Sequence, residues 1–178
     1  MAQANGASSF SQDWVVPLWR DGQQVKTIGS YDVVSPLTDK LLYKSSSASV
    51  EDADAAVSAA EKAFPTWSKT KPGFRRDLFL RAADELVKRK DELWHLCSTE
   101  VGSTPPYFEF DFADALESLK SCAGLIAAAS VQGQVPHMLD DERSAMVIKE
   151  PYGVVVAIAP WNCPCILGLR SFLGPLAS

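Results

Sequence analysis

Asn162 is the residue whose type and place best suit it to chemistry. It stands in Ile158-Ala159-Pro160-Trp161-Asn162-Cys163-Pro164, where an apolar run breaks and a helix-compatible stretch begins. Its side-chain amide can donate to an oxygen that gains negative charge, the way an oxyanion is held. The same side chain also suits a plain helix N-cap, and the residues alone leave both roles open. Trp161 offers a flat apolar wall with one N–H donor. Cysteines at 97, 122, 163 and 165 are the thiols available. Cys97 and Cys122 fall on apolar helix faces and read as core. Cys163-Pro164-Cys165 leaves one residue between the sulfurs, too few for a zinc knuckle, so no metal centre is expected there. His95 and His137 have no thiol or carboxylate at a suggestive spacing and read as surface or packing residues. The chain holds neither GxGxxG nor GxxxxGK[ST], so it shows no phosphate loop.

The elements that position these residues follow from periodicity. Val154-Val155-Val156-Ala157-Ile158 is apolar without alternation, the mark of a strand covered on both faces in a parallel sheet. A helix is expected from Cys163 to about Phe172. In open α/β sheets, ligands bind beyond the carboxyl ends of such strands, which is where Trp161 and Asn162 lie. Upstream, Asp21-Gly22 predicts a hairpin turn between Trp14-Val15-Val16 and Val25. Tyr31 to Val34 predicts a short strand. Ser49 and Asp52 form an S-x-x-D cap for a helix with Val50, Ala53, Val57, Ala60 and Phe64 on one face, closed by Pro65. A second helix follows Pro72-Gly73, with Leu78, Phe79, Ala82, Leu86 and Leu93 inward and Arg75, Arg76, Lys88 and Arg89 in solvent. A third spans about 107–130 on a stripe of Phe108, Phe112, Leu116, Leu119, Ala123 and Ile126, ended by Gly133. Residues 134–149 read as two strands, and residues 1–12 as a flexible tail. Ser45-Ser46-Ser47 reads as a low-complexity tract.

At 178 residues the chain fits one domain. Net charge is −5, and no basic run exceeds Lys88-Arg89-Lys90, which argues against nucleic-acid or anionic-membrane partners. No apolar run approaches the ~18 residues of a transmembrane helix. The N-terminus lacks the pattern of a signal peptide, so a cytoplasmic location is expected, with free thiols rather than disulfides.

The segment Glu150-Pro151-Tyr152-Gly153 through Pro160-Trp161-Asn162-Cys163-Pro164 resembles the aldehyde dehydrogenase superfamily, which carries P-x-G-V-V-x-x-I-x-P-W-N-x-P there. Val50 to Val57, Ala60, Ala63-Phe64 and Trp67 match the helix leading to the family's A-F-x-x-W. Glu100-Val101-Gly102 matches its E-x-G. The continuation Ser103-Thr104-Pro105, in place of the usual K-P, together with Ile166 to Arg170, is more similar to the salicylaldehyde and vanillin dehydrogenase branch. The resemblance covers about 30–178.

It implies an incomplete N-terminal part of the aldehyde dehydrogenase fold: helices plus the first strand of a Rossmann-like α/β sheet. By division, 13–133 would be the helical part of the cofactor-binding domain, 134–149 an oligomerisation hairpin, and 150–178 the first strand, turn and helix of the cofactor-binding core. The implied reaction is NAD- or NADP-dependent oxidation of an aromatic aldehyde through a cysteine thiohemiacetal. Asn162 would be the oxyanion donor, with Ile158, Ala159, Pro160 and Trp161 along the cofactor. Tyr107, Cys163, Leu167 and Arg170 would line the aldehyde tunnel, and the last three recur on one helical face. The family's catalytic cysteine, general-base glutamate, ribose lysine and Gly-rich turn would lie beyond Ser178, leaving the chain inactive alone. The alternative is a non-catalytic interaction module that pairs with a full-length relative through 134–149 and the strand at 154–158.

Overall fold

The computed structural model describes residues 13–129, 133–139 and 142–178. The tail expected over 1–12 lies outside them. Among the described residues, five short strands come first: β1 (Val15–Val16), β2 (Leu18–Arg20), β3 (Gln23–Val25), β4 (Gly29–Val34) and β5 (Leu41–Ser47). Five helices follow: α1 (Val50–Trp67), α2 (Pro72–Lys88), α3 (Lys90–Glu100), α4 (Pro105–Ala129) and α5 (Pro164–Ala177).

The hairpin turn falls at Asp21-Gly22, where φ is 53° and 71°. Two left-handed residues in a row make the turn whose twist suits a hairpin. Its first strand is β2 rather than Trp14–Val16, because Pro17 interrupts the run. β1 instead pairs in parallel with β5, and β4 pairs with the other edge of β5. β5 was not legible in the sequence: Ser45-Ser46-Ser47, read as low complexity, is its second half and is held by Tyr31, Ser30 and Gly29 of β4. Pairing, not propensity, makes this strand.

α1 starts at the expected cap. The Ser49 hydroxyl accepts the Asp52 N–H at 3.2 Å, and an Asp52 carboxylate oxygen accepts the Ser49 N–H at 3.1 Å. Pro65 does not close α1. It lies inside the last turn, and Ser68 N–H reaches the Phe64 carbonyl at 2.8 Å to carry the helix through Trp67. No residue of α1 is fully buried, so its apolar stripe remains half-open.

α4 is the centre of the helical part. It packs against both α2 and α5, and its stripe runs through both core clusters. Phe108, Phe112, Leu119, Ala123 and Ile126 are all buried as expected. On α2 the inward small residue is Ala83, and Ala82 is exposed. The helical run breaks at Arg89, so Leu93 belongs to α3. Arg75 overturns the solvated-face reading. It is 7% exposed, with Nε donating to Thr70 Oγ1 at 2.9 Å, Nη2 to the Thr70 carbonyl at 3.2 Å and Nη1 to the Ala177 carbonyl at 3.2 Å. A guanidinium can be buried when its donors are matched, and α5 supplies acceptors that no local pattern reveals.

Two expected strand regions differ. Among the described residues of 134–149 there is one antiparallel bridge, Gln134 to Val147, and no strand. A ribbon of two chains without a third is marginal. The approach is close: a Cβ on Gly133 would sit 2.6 Å from the Val147 carbonyl oxygen. Residues 154–158 form no ladder and are exposed, not covered on two faces, since no strand among the described residues lies beside them. A parallel strand exists only through its neighbours.

Candidate active site

α5 begins at Pro164, with Cys163 at the N-cap, so Asn162 precedes the cap rather than forming it. Neither residue caps the helix with its side chain. Asp111 of α4 does so: Oδ2 accepts the Cys165 N–H at 3.0 Å and Oδ1 the Ile166 N–H at 2.8 Å. Asp111 is 1% exposed. A buried carboxylate at a helix N-terminus satisfies two orphan donors and faces the positive end of the helix dipole. Sequence reasoning passed over Asp111. The available signal was an acidic residue within the Phe108–Phe112–Ala115 stripe.

With the amide released from capping, Asn162 is exposed at the mouth of α5. Its Nδ2 lies 3.5 Å from the Tyr107 hydroxyl and 3.8 Å from the Cys163 sulfur. The Tyr107 hydroxyl and Cys163 Sγ are 2.7 Å apart. That contact with Cys163 raises the Tyr107 pKa above the ordinary phenol value, while Asn162 works against it. The fold thus joins three expected site residues, two on the α5 entry and one at the start of α4. Cys163 is buried in the core cluster with Phe108 and Ile166. Leu167 packs on the edge of that cluster, and Arg170 is exposed further along α5.

Ile158 and Trp161 are 91% and 75% exposed, so 158–161 presents an open apolar strip beside Asn162. A planar ring can lie on such a strip. The described residues offer no glycine-rich turn for a pyrophosphate.

A second cysteine pair was not foreseen. Cys97 of α3 and Cys165 of α5 are both buried, with sulfurs 3.9 Å apart. Asp111 completes a group whose ligand atoms lie within 4.8 Å of one another. Both Asp111 oxygens already hold α5 N–H groups, so a metal there would compete with the helix cap. Cys163, named with Cys165 in the sequence, is not in this group.

The chain belongs to the aldehyde dehydrogenase family, whose pattern it matches over residues 19–178. It is 41% identical over 143 residues to a vanillin dehydrogenase of Pseudomonas sp. (strain HR199 / DSM 7063), covering 80% of this chain and 29% of that protein. It is 35% identical over 164 residues to the vanillin dehydrogenase of Pseudomonas fluorescens, covering 91% and 33%. Its fold matches a salicylaldehyde dehydrogenase from Pseudomonas putida G7, solved with salicylaldehyde, at a TM-score of 0.83 and 25% identity, over 92% of this chain and 34% of that one. PnpE, solved with nicotinamide adenine dinucleotide, matches at 0.83 and 30% identity, over 94% and 34%. The chain spans about a third of the length of these relatives. The expected α/β class and incomplete N-terminal part of the fold agree with this coverage. No helix among the described residues is long and apolar enough to cross a membrane.

Proposed function

We propose that this chain supplies the cofactor-side wall and the oxyanion donor of an NAD(P)-dependent dehydrogenase for aromatic aldehydes. The exposed Asn162 amide, held between Tyr107 and Cys163 and free of any capping duty, carries the reading. Its N–H₂ would donate to the aldehyde oxygen as a thiol adds to the carbonyl carbon, holding charge where it develops. Ile158, Ala159, Pro160 and Trp161 would hold the ring end of the cofactor, which accepts the hydride. Tyr107, Cys163, Leu167 and Arg170 would form the aldehyde side, with the Tyr107 hydroxyl suited to an oxygen substituent on the aromatic ring. The attacking thiol and the base that activates water belong to the part of the family fold outside these residues. The division at 133 and 150, association of subunits through 134–149 and a cytoplasmic setting complete the proposal.

The test joins residues 13–178 to the remaining part of the Pseudomonas sp. vanillin dehydrogenase and assays vanillin oxidation with NAD and NADP. Asn162→Ala is expected to lower kcat roughly 10²–10³-fold with little change in KM. A hybrid that turns over equally well with and without Asn162 overturns the role.

A second reading, a non-catalytic module docking on a full-length relative, draws on the exposed apolar stretch at 154–158. Co-purification with such an enzyme, lost on Val156→Lys, distinguishes it.

A further inference from the structure

The aldehyde chemistry has no use for Cys97 and Cys165, yet their sulfurs lie 3.9 Å apart where α3 and α5 both pack on α4. They are 5% and 8% exposed. Both nevertheless line one cavity of about 430 Å³ walled by Leu86, Leu93, Leu96 and Leu169. The cavity gives an apolar reagent a route to two sulfurs that water barely touches. We propose that Cys97 and Cys165 form a reversible dithiol–disulfide site, oxidised by organic hydroperoxides that enter this cavity.

The two thiols are unequal. The contact with Cys165 lowers the Cys97 pKa, and the same contact, with burial, raises that of Cys165. In the proposed step Cys97 acts as the nucleophile and Cys165 as the resolving thiol. Glu100, on the cavity wall, and Asp111 are the carboxyl groups beside the pair. Cys97 Sγ attacks the terminal peroxide oxygen and the O–O bond breaks. The departing alkoxide takes the Cys97 proton and leaves as an alcohol. Cys97 is now a sulfenic acid. Cys165 Sγ displaces its hydroxyl, the S–S bond forms, and the Cys165 proton leaves with the hydroxyl as water. Two thiols give up two electrons, and one hydroperoxide takes them. Bonding requires the sulfurs to close from 3.9 Å to about 2.05 Å, a movement of about 2 Å. The bond would tie α3 to the first turn of α5, next to Cys163 and Asn162.

The full chain is treated with cumene hydroperoxide, its remaining thiols are alkylated, and the digest is read by mass spectrometry. The expected result is loss of two of the four free thiols, a peptide linked through Cys97 and Cys165, and full recovery with dithiothreitol. Cys97→Ser abolishes the link. A Cys122→Ser/Cys163→Ser variant keeps it, and that outcome does not depend on how well a Cys97 variant folds. The proposal is overturned if Cys97 and Cys165 stay fully alkylatable under conditions that oxidise Cys122. It is equally overturned if the double variant forms links only between separate chains.

Discussion

The Asp111 carboxylate of α4 and the Ile166 N–H of α5 meet at 2.8 Å, and the second Asp111 oxygen takes the Cys165 N–H at 3.0 Å. Through this one side chain, α4 fixes where α5 begins. The turn Pro160–Cys163 is anchored with it, and so is the amide of Asn162. The position of the proposed oxyanion donor depends on a residue 51 positions upstream that never touches it.

Asp111→Ala should lower stability by about 3 kcal/mol, since two N–H groups lose charge-assisted bonds in a buried place. Asp111→Asn, which keeps one acceptor oxygen, should lose less. Equilibrium urea denaturation of both variants checks the order, and equal stability of Asp111→Ala and parent would sink the capping account.

Arg75 connects the loop before α2 to the far end of α5. Its guanidinium also lies 5.9 Å over the Trp67 ring. Arg75→Ala should cost about 2 kcal/mol. Arg75→Lys should recover only part of it, because an ammonium cannot reach Thr70 and the carbonyls of Ala177 and Ser178 in one fork. Chemical denaturation gives both numbers, and full rescue by Lys would show that charge alone matters.

Glu100 links the sheet to α3 by accepting the Tyr43 hydroxyl. Desolvation holds its carboxyl above the ordinary value of 4.5. The folded chain thus binds this proton more tightly than the unfolded chain does. The stability it contributes is complete below 4.5 and is lost as pH rises through the folded value. Glu100→Gln, which keeps an acceptor for Tyr43, should flatten that fall. Melting curves from acid to neutral pH should show the variant gaining on the parent as pH rises; parallel curves would contradict it.

Tyr107 titrates above 10.0 because its hydroxyl is held by Cys163. Subtracting the ultraviolet pH titration of Tyr107→Phe from that of the parent should isolate this phenol. Cys163→Ala should move its midpoint back toward 10.0. A midpoint indifferent to Cys163 would mean that the sulfur contact is not made in solution.

The sequence by itself determined the elements whose causes are local. The Ser49–Asp52 box marks the start of α1, Asp21-Gly22 marks the hairpin, and the Phe108-to-Ile126 stripe marks the buried face of α4. Each depends on residues a few positions apart, where spacing is geometry. The run from Glu150 to Pro164 likewise pointed to the family that the match over residues 19–178 bears out.

Tertiary structure decided everything that needs a distant partner. Ser45-Ser46-Ser47 is a strand because β4 and β1 flank it, whereas Val154 to Ile158 is none because no strand among the described residues does. Arg75 and Asp111 are buried because α5 brings matching donors and acceptors to them. Cys97 and Cys165 meet across 68 residues because α3 and α5 both pack against α4. A polar side chain enters a core only when its hydrogen bonds are met there. Those partners are fixed by the packing of helices, not by the order of residues along any one of them.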